Sequence, residues 1–160
     1  IRLSIHAFII LKILLLTKGS WLILSVIKNN YENRVVQLGK VLAITNQKGG
    51  VGKTTTSVNL SASLAATKRK SLLIDLDPQG NATMGSGIDK KDLSISIYDV
   101  LMGEKSIEEA TLSLESTKYD LLPSNSDLTG AEVGLLNVTN REAQLRKEIE
   151  KIRDKYAYII

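Results

Sequence analysis

The chain has 160 residues, with 21 Lys and Arg against 17 Asp and Glu, a single His, no Cys and 43% hydrophobic content. That length suits one ordinary domain or part of a larger one, and the composition is globular, not disordered or collagen-like. The absence of Cys excludes a disulfide scaffold, thiolate metal sites, Cys-ligated iron–sulfur clusters and a Cys nucleophile. One Trp, one Phe and five Tyr leave few platforms on which single-stranded nucleic acid could stack.

The basic pI of 9.2 belongs to the first quarter of the chain. Residues 1–40 carry six basic side chains and one acidic, whereas residues 41–160 carry 15 basic and 16 acidic. The balance is therefore weak evidence about the partners of the larger part. Residues 1–37 are apolar and dotted with lysines. Their longest runs without Lys or Arg, Leu3–Leu11 and Gly19–Ile27, are nine residues each, against the roughly 18 that a bilayer span needs. Arg2 followed by Ala7–Leu16 has the outline of a signal peptide, but Thr17-Lys18-Gly19-Ser20 offers no clean cleavage site. The competing reading is that residues 1–37 are read-through of upstream sequence and that the protein starts at Leu38, a Leu codon being a possible bacterial start. An N-terminal mass spectrum of the native protein decides between them. His6 lies in this stretch and is given no role.

From Val41 the sequence becomes orderly. Val41–Ile44 is a short apolar run, as expected of a parallel strand buried on both faces. A glycine-rich turn, Lys48–Gly52, leads into a predicted helix over Lys53–Thr67, with Val58, Leu60, Leu64 and Ala65 on its apolar side. Ser71–Leu76 reads as a second strand, stopped by Pro78, and Gly80, Gly85 and Gly87 mark a loop. Ile97–Met102 is a short helix closed by Gly103, and Ser106–Glu109 has capping-box spacing. Tyr119–Leu122 is a third strand. Thr139–Glu142 is a second capping box, opening a helix with Leu145, Ile149, Ile152 and Tyr156 on one face and interleaved charges on a solvated outer face. Tyr156–Ile160 begins a fourth strand. Alternating strands and helices imply an α/β fold, a parallel sheet covered on both faces.

Asn46-Gln47-Lys48-Gly49-Gly50-Val51-Gly52-Lys53-Thr54-Thr55 lies between a buried strand and a helix, the context a phosphate-binding loop requires. Glycines let successive backbone N–H groups curl around an anion, and the new helix adds unpaired N–H groups and the positive end of its dipole. In that arrangement Lys53 contacts the β- and γ-phosphates and the Thr54 hydroxyl binds Mg²⁺. The general pattern G-x-x-x-x-G-K-[ST] asks for glycine where this chain has Gln47, so the match is not the general one. Asp75 and Asp77 sit at the C-terminal end of the second strand, where carboxylates of open α/β sheets flank a phosphate site; the plainer reading is a capped turn before Pro78.

The departure at Gln47 is informative. Lys48–Thr55 resembles the deviant Walker A motif of the ParA/MinD class of P-loop ATPases. Asn46–Thr56 with Asn59-Leu60, together with Leu73-Ile74-Asp75-Leu76-Asp77-Pro78-Gln79-Gly80-Asn81-Ala82-Thr83, resembles the ParA/Soj chromosome- and plasmid-partition branch, over roughly residues 39–160. That resemblance implies a P-loop NTPase-type fold, truncated after about four strands. Residues 38–160 would be the N-terminal part of the ATPase domain and residues 1–37 an apolar, basic extension. It implies ATP and Mg²⁺ bound by Lys48, Gly49, Gly50, Val51, Gly52, Lys53, Thr54 and Thr55. Lys48 would be the signature lysine, reaching across an ATP-bound homodimer; Asp77 would position the attacking water; Asp75 would support the Mg²⁺ shell or the dimer-facing loop. It further implies non-specific DNA binding, a ParB-type partner, a cytoplasmic, nucleoid-associated location and no stable membrane insertion. The family's next motif, a strand ending in D-x-P-P, would follow Ile160, so weak or no ATP hydrolysis is expected of the 160 residues alone. The rivals are a MinD-type division-site membrane ATPase, against which Asp77–Thr83 argues, and a non-catalytic nucleotide-binding fragment. The related nitrogenase iron protein is excluded by the absence of Cys.

Overall fold

A computed structural model describes residues 23–26, 38–137 and 140–160. Among the described residues six strands form one sheet: β1 (Ile23–Val26), β2 (Lys40–Thr45), β3 (Ser71–Ile74), β4 (Leu112–Leu114), β5 (Tyr119–Leu122) and β6 (Tyr158–Ile159), in the order β1-β2-β6-β3-β5-β4. The four inner strands are parallel, and β1 and β4 close the two sides antiparallel. The predicted strands at Val41, Ser71, Tyr119 and Tyr156 are all present. The sequence reading did not name β1 or β4, and β3 ends at Ile74, two residues before the predicted Leu76.

The apolar runs are explained by burial on both faces. Along β3, Leu72 enters one hydrophobic cluster and Leu73 the other; Leu122 and Leu121 of β5, and Ile159 and Tyr158 of β6, divide in the same way. Alternating side chains therefore all need apolar character. On one face lies α1 (Lys53–Ala66), whose Leu60 is buried, with the short α2 (Asn81–Gly85) against it. On the other lie α3 (Ile97–Met102), α4 (Ile107–Ala110), α5 (Ala131–Gly134) and α6 (Gln144–Ile152).

The Ser96 and Ser106 hydroxyls and the Asp99 and Glu109 carboxylates form reciprocal capping boxes on α3 and α4, and Gly103 ends α3 at φ 77°. The predicted box at Thr139–Glu142 lies partly outside the described residues, since Thr139 is not among them; the helix expected to open from it, α6, starts at Gln144, after a 3₁₀ turn over Arg141–Ala143. The expected solvated outer face of α6 is present, with Arg146, Lys147, Glu150 and Lys151 exposed; Glu148 is the exception, buried and bonded to Lys151. Arg153, just beyond the helix, is buried with its Nε donating to the Gly39 carbonyl at 2.8 Å, while the Gly39 N–H donates back to the Arg153 carbonyl. This clasp fixes the chain immediately before β2. The predicted glycine loop at 80–87 contains α2, which starts from Gly80 at φ 60°.

Candidate nucleotide-binding site

The loop between β2 and α1 begins with an Asx turn, the Asn46 Oδ1 accepting from the Lys48 N–H at 2.9 Å. Gly50 and Gly52 hold φ of 70° and 87°, in the left-handed region that glycine enters without a Cβ penalty. A Cβ added at Gly49, Gly50 or Gly52 would meet nothing within 4 Å, so no packing of the protein itself requires these glycines. The space before the loop is open, as close approach of a bound anion demands. Gly52 is the N-cap of α1 and supplies no side-chain cap, and the first turn holds no acidic residue. The initial N–H groups and the positive end of a 14-residue helix are thus left for an anion. The Lys53 Nζ donates to the Lys48 carbonyl at 3.2 Å, which lays the ammonium across the loop.

Lys53 and Thr54 line a cavity of about 780 Å³ at the ends of β2 and β3, together with Ser57, Asp75 and Asp77. Four predicted residues from two separate sequence blocks therefore share one space. Lys48, Gly49, Gly50, Val51, Gly52 and Thr55 do not line it; Lys48 and Thr55 are exposed. The far wall is α6, through Leu145, Arg146 and Ile149. Sequence reasoning missed Arg146 at this wall, because interleaved charges on an amphipathic helix signal solvent before they signal a cavity.

The two carboxylates differ. Asp77 is exposed; its Oδ1 accepts from the Gln79 N–H at 2.9 Å and its Oδ2 from the Asn81 amide at 3.5 Å. Asp75 is 3% exposed. Its Oδ1 accepts from the Asp77 N–H at 3.1 Å, and its Oδ2 from both the N–H and the hydroxyl of Thr83 at 2.8 Å. Among the described residues no group of three or more His, Cys, Asp or Glu could hold a metal ion. The donor set would fit Mg²⁺ only in company with phosphate oxygens, the Thr54 hydroxyl being the donor this chain would offer beside the open glycine loop. Among the described residues no helix is long and apolar enough to cross a membrane.

A buried parallel strand, a glycine loop, a helix opening on Lys-Thr, and carboxylates past a nearby strand define a P-loop NTPase-type α/β domain. Residues 39–160 match the family described as an AAA domain, and the chain belongs to that family. The chain is 46% identical over 123 residues to the sporulation initiation inhibitor protein Soj of Bacillus subtilis, covering 77% of this chain and 49% of Soj. It is also 46% identical over 123 residues to the chromosome partitioning protein ParA of Myxococcus xanthus, covering 77% of this chain and 44% of ParA. Among solved structures, cobyrinic acid a,c-diamide synthase from Mycobacterium smegmatis with bound ADP and magnesium superposes with a TM-score of 0.70 at 39% identity, over 75% of this chain and 47% of that one. The chain thus spans about half the length of the curated relatives it matches. The resemblance to the ParA/Soj family, drawn from two motif blocks, is borne out.

Proposed function

We propose that the protein is the nucleotide-binding part of a partition ATPase, which binds Mg²⁺·ATP at Lys48–Thr55 and uses hydrolysis to time a dimer's hold on DNA. The observation that carries this reading is the convergence of Lys53, Thr54 and Asp77 on one cavity beside an uncapped helix N-terminus. In this reading the loop N–H groups and the Lys53 ammonium hold the β- and γ-phosphates. The Thr54 hydroxyl holds Mg²⁺, which screens the phosphate charge. Asp77, exposed on its turn at the edge of the same cavity, orients the attacking water. Lys48, exposed on the outside of the loop, is the residue available to a second subunit's phosphates, where added positive charge stabilises the transition state.

The ParA and Soj relatives favour partition over other ATP-driven chemistry, as does the Asp77–Thr83 block. The solved synthase carries ADP and magnesium on the same kind of module, so the module alone does not select the final reaction. DNA, a ParB-type partner, the ATP-sandwich dimer and a nucleoid-associated location belong to this proposal, as does the assignment of residues 38–160 to an ATPase domain. The test is titration with a fluorescent ATP analogue, with and without Mg²⁺, using Lys53→Ala as the control. Binding that needs both Mg²⁺ and Lys53 supports the phosphate-loop assignment; a Lys53→Ala variant with wild-type affinity refutes it.

A further inference from the structure

We infer that Asp75 is a positioning residue, which acts through Thr83 to fix the loop carrying Asp77 against the backbone that follows β5. This rests on the proposed reading of Asp77 as the group that orients the attacking water.

The three groups of the clamp are buried to an unusual degree for polar residues: Asp75 is 3% exposed, Thr83 and Ser124 not at all. The chain of contacts is continuous. Asp75 Oδ1 takes the N–H of Asp77 itself, and Asp75 Oδ2 takes the Thr83 N–H and hydroxyl. The Thr83 Oγ1 in turn accepts the Ser124 N–H at 2.9 Å, and the Asp75 N–H donates to the Leu122 carbonyl at 3.0 Å. One carboxylate therefore spans the loop from its first residue to its last and joins it to the end of β5.

The chemistry explains why each residue type is needed. Asp75 meets three donors and no acceptor, so an ionised carboxylate satisfies all of them, whereas an amide would turn an NH₂ toward a donor. Thr83 must donate and accept at one oxygen, which only a hydroxyl does. Inside the span the backbone has no slack. A Cβ on Gly80 would lie 2.7 Å from the Ser124 carbonyl oxygen, and Lys90 covers Gly80 while its Nζ donates to the Gln79 carbonyl. Both carboxylate oxygens of Asp75 are occupied by this loop, which favours a positioning role over a place in the Mg²⁺ shell.

The test compares Thr83→Val, which keeps the shape and removes the hydroxyl, with Thr83→Ser, which keeps the hydroxyl. Two quantities are read on the 160-residue chain: amide hydrogen exchange at Asp77 and Ser124, and binding of Mg²⁺·ADP with and without aluminium fluoride, a mimic of the phosphoryl group under attack. Thr83→Val is expected to speed exchange at both amides by about 10-fold and to weaken capture of the fluoride complex by about 10-fold, the scale of one or two net hydrogen bonds. Mg²⁺·ADP affinity should stay within about 2-fold, since ADP lacks the group that Asp77 addresses. Thr83→Ser should restore both. Wild-type exchange in Thr83→Val overturns the clamp. Equal loss of Mg²⁺·ADP binding also overturns it, because the network would then support only the fold. If the wild-type chain binds Mg²⁺·ADP but never captures the fluoride complex, the reading of Asp77 gains no support from this chain, and exchange alone decides the clamp. If it binds no Mg²⁺·ADP, the nucleotide reading fails instead. Should Thr83→Val not fold, Asp75→Asn, which keeps the side-chain volume, takes its place with the same expected outcomes.

Discussion

The loops after β2 and β3 are held by opposite means. The first, Asn46–Gly52, is held by local geometry: an Asx turn, the Lys53 ammonium on the Lys48 carbonyl, two glycines at positive φ and the start of a helix. Its side chains are largely exposed and nothing packs before its glycines. The second, between Asp75 and Thr83, is fixed by buried side chains and by backbone contact with Ser124. The difference suits the proposed roles: a phosphate seat needs N–H groups left unspent, whereas a residue proposed to aim a water gains from a base fixed by buried polar contacts.

That contrast can be broken most sharply at its glycines. Gly80→Ala combines a φ of 60° with a Cβ 2.7 Å from a carbonyl oxygen. It should cost about 2–4 kcal/mol of stability, adding left-handed strain to a forced backbone shift. Gly49→Ala, with open space before it, should leave stability within about 0.5 kcal/mol while obstructing phosphate approach. Urea denaturation of both variants checks the pair; equal costs would erase the distinction between the loops. Next comes Lys53→Ala. It should weaken Mg²⁺·ATP binding by about 10–100-fold, the scale of a charge-assisted hydrogen bond, with little effect on the urea midpoint.

The other end of the sheet supplies controls. The Tyr156 hydroxyl donates to Asp120 Oδ2 at 2.8 Å, and the Lys70 ammonium lies 4.9 Å from the Tyr156 ring centre. Burial first, and then the bond to Asp120, push the Tyr156 phenol above its ordinary 10.0. Its folded value exceeds its unfolded one, so its contribution is intact below about pH 10 and declines as pH rises past that. Tyr156→Phe should cost about 1 kcal/mol at neutral pH and flatten the alkaline loss in a thermal-melt series, leaving nucleotide affinity unchanged. The smallest effect is expected at Glu109. The Ser106 N–H, then the Ser106 hydroxyl and Lys105, hold its carboxyl below its usual 4.5. The stabilisation is present above that value and lost as pH falls through the lowered folded one. Glu109→Gln should therefore differ from wild type in urea midpoint at neutral pH and converge with it in acid.

The inner strands were legible because their apolar runs are required by burial on two faces, and Ser96, Gly103 and Ser106 mark helix ends chemically. The phosphate loop was legible because it is local: ten consecutive residues state its geometry. The buried contacts around Asp75 were not, since Thr83 returns to it from the far end of a loop and Ser124 reaches the Thr83 hydroxyl only because β5 lies beside β3. β4 escaped notice because three residues, Leu112–Leu114, carry too little alternation to register, and their pairing depends on a turn with Lys118 at φ 59°. The buried place of Arg153 was not legible because its acceptor, the Gly39 carbonyl, is 114 residues away in sequence.

The position of β6 has a consequence for the order of events in folding. β2 and β3, which launch the two loops of the site, do not pair with each other; both bond to β6, at Tyr158 and Ile159. Until residues 158–159 have been synthesised, the strand that leads to Lys53 and the strand that leads to Asp77 have no ladder in common. In the sheet the two halves of the site are therefore joined only by a long-range pairing, and a nascent chain short of β6 is expected to lack the ladder that sets their spacing.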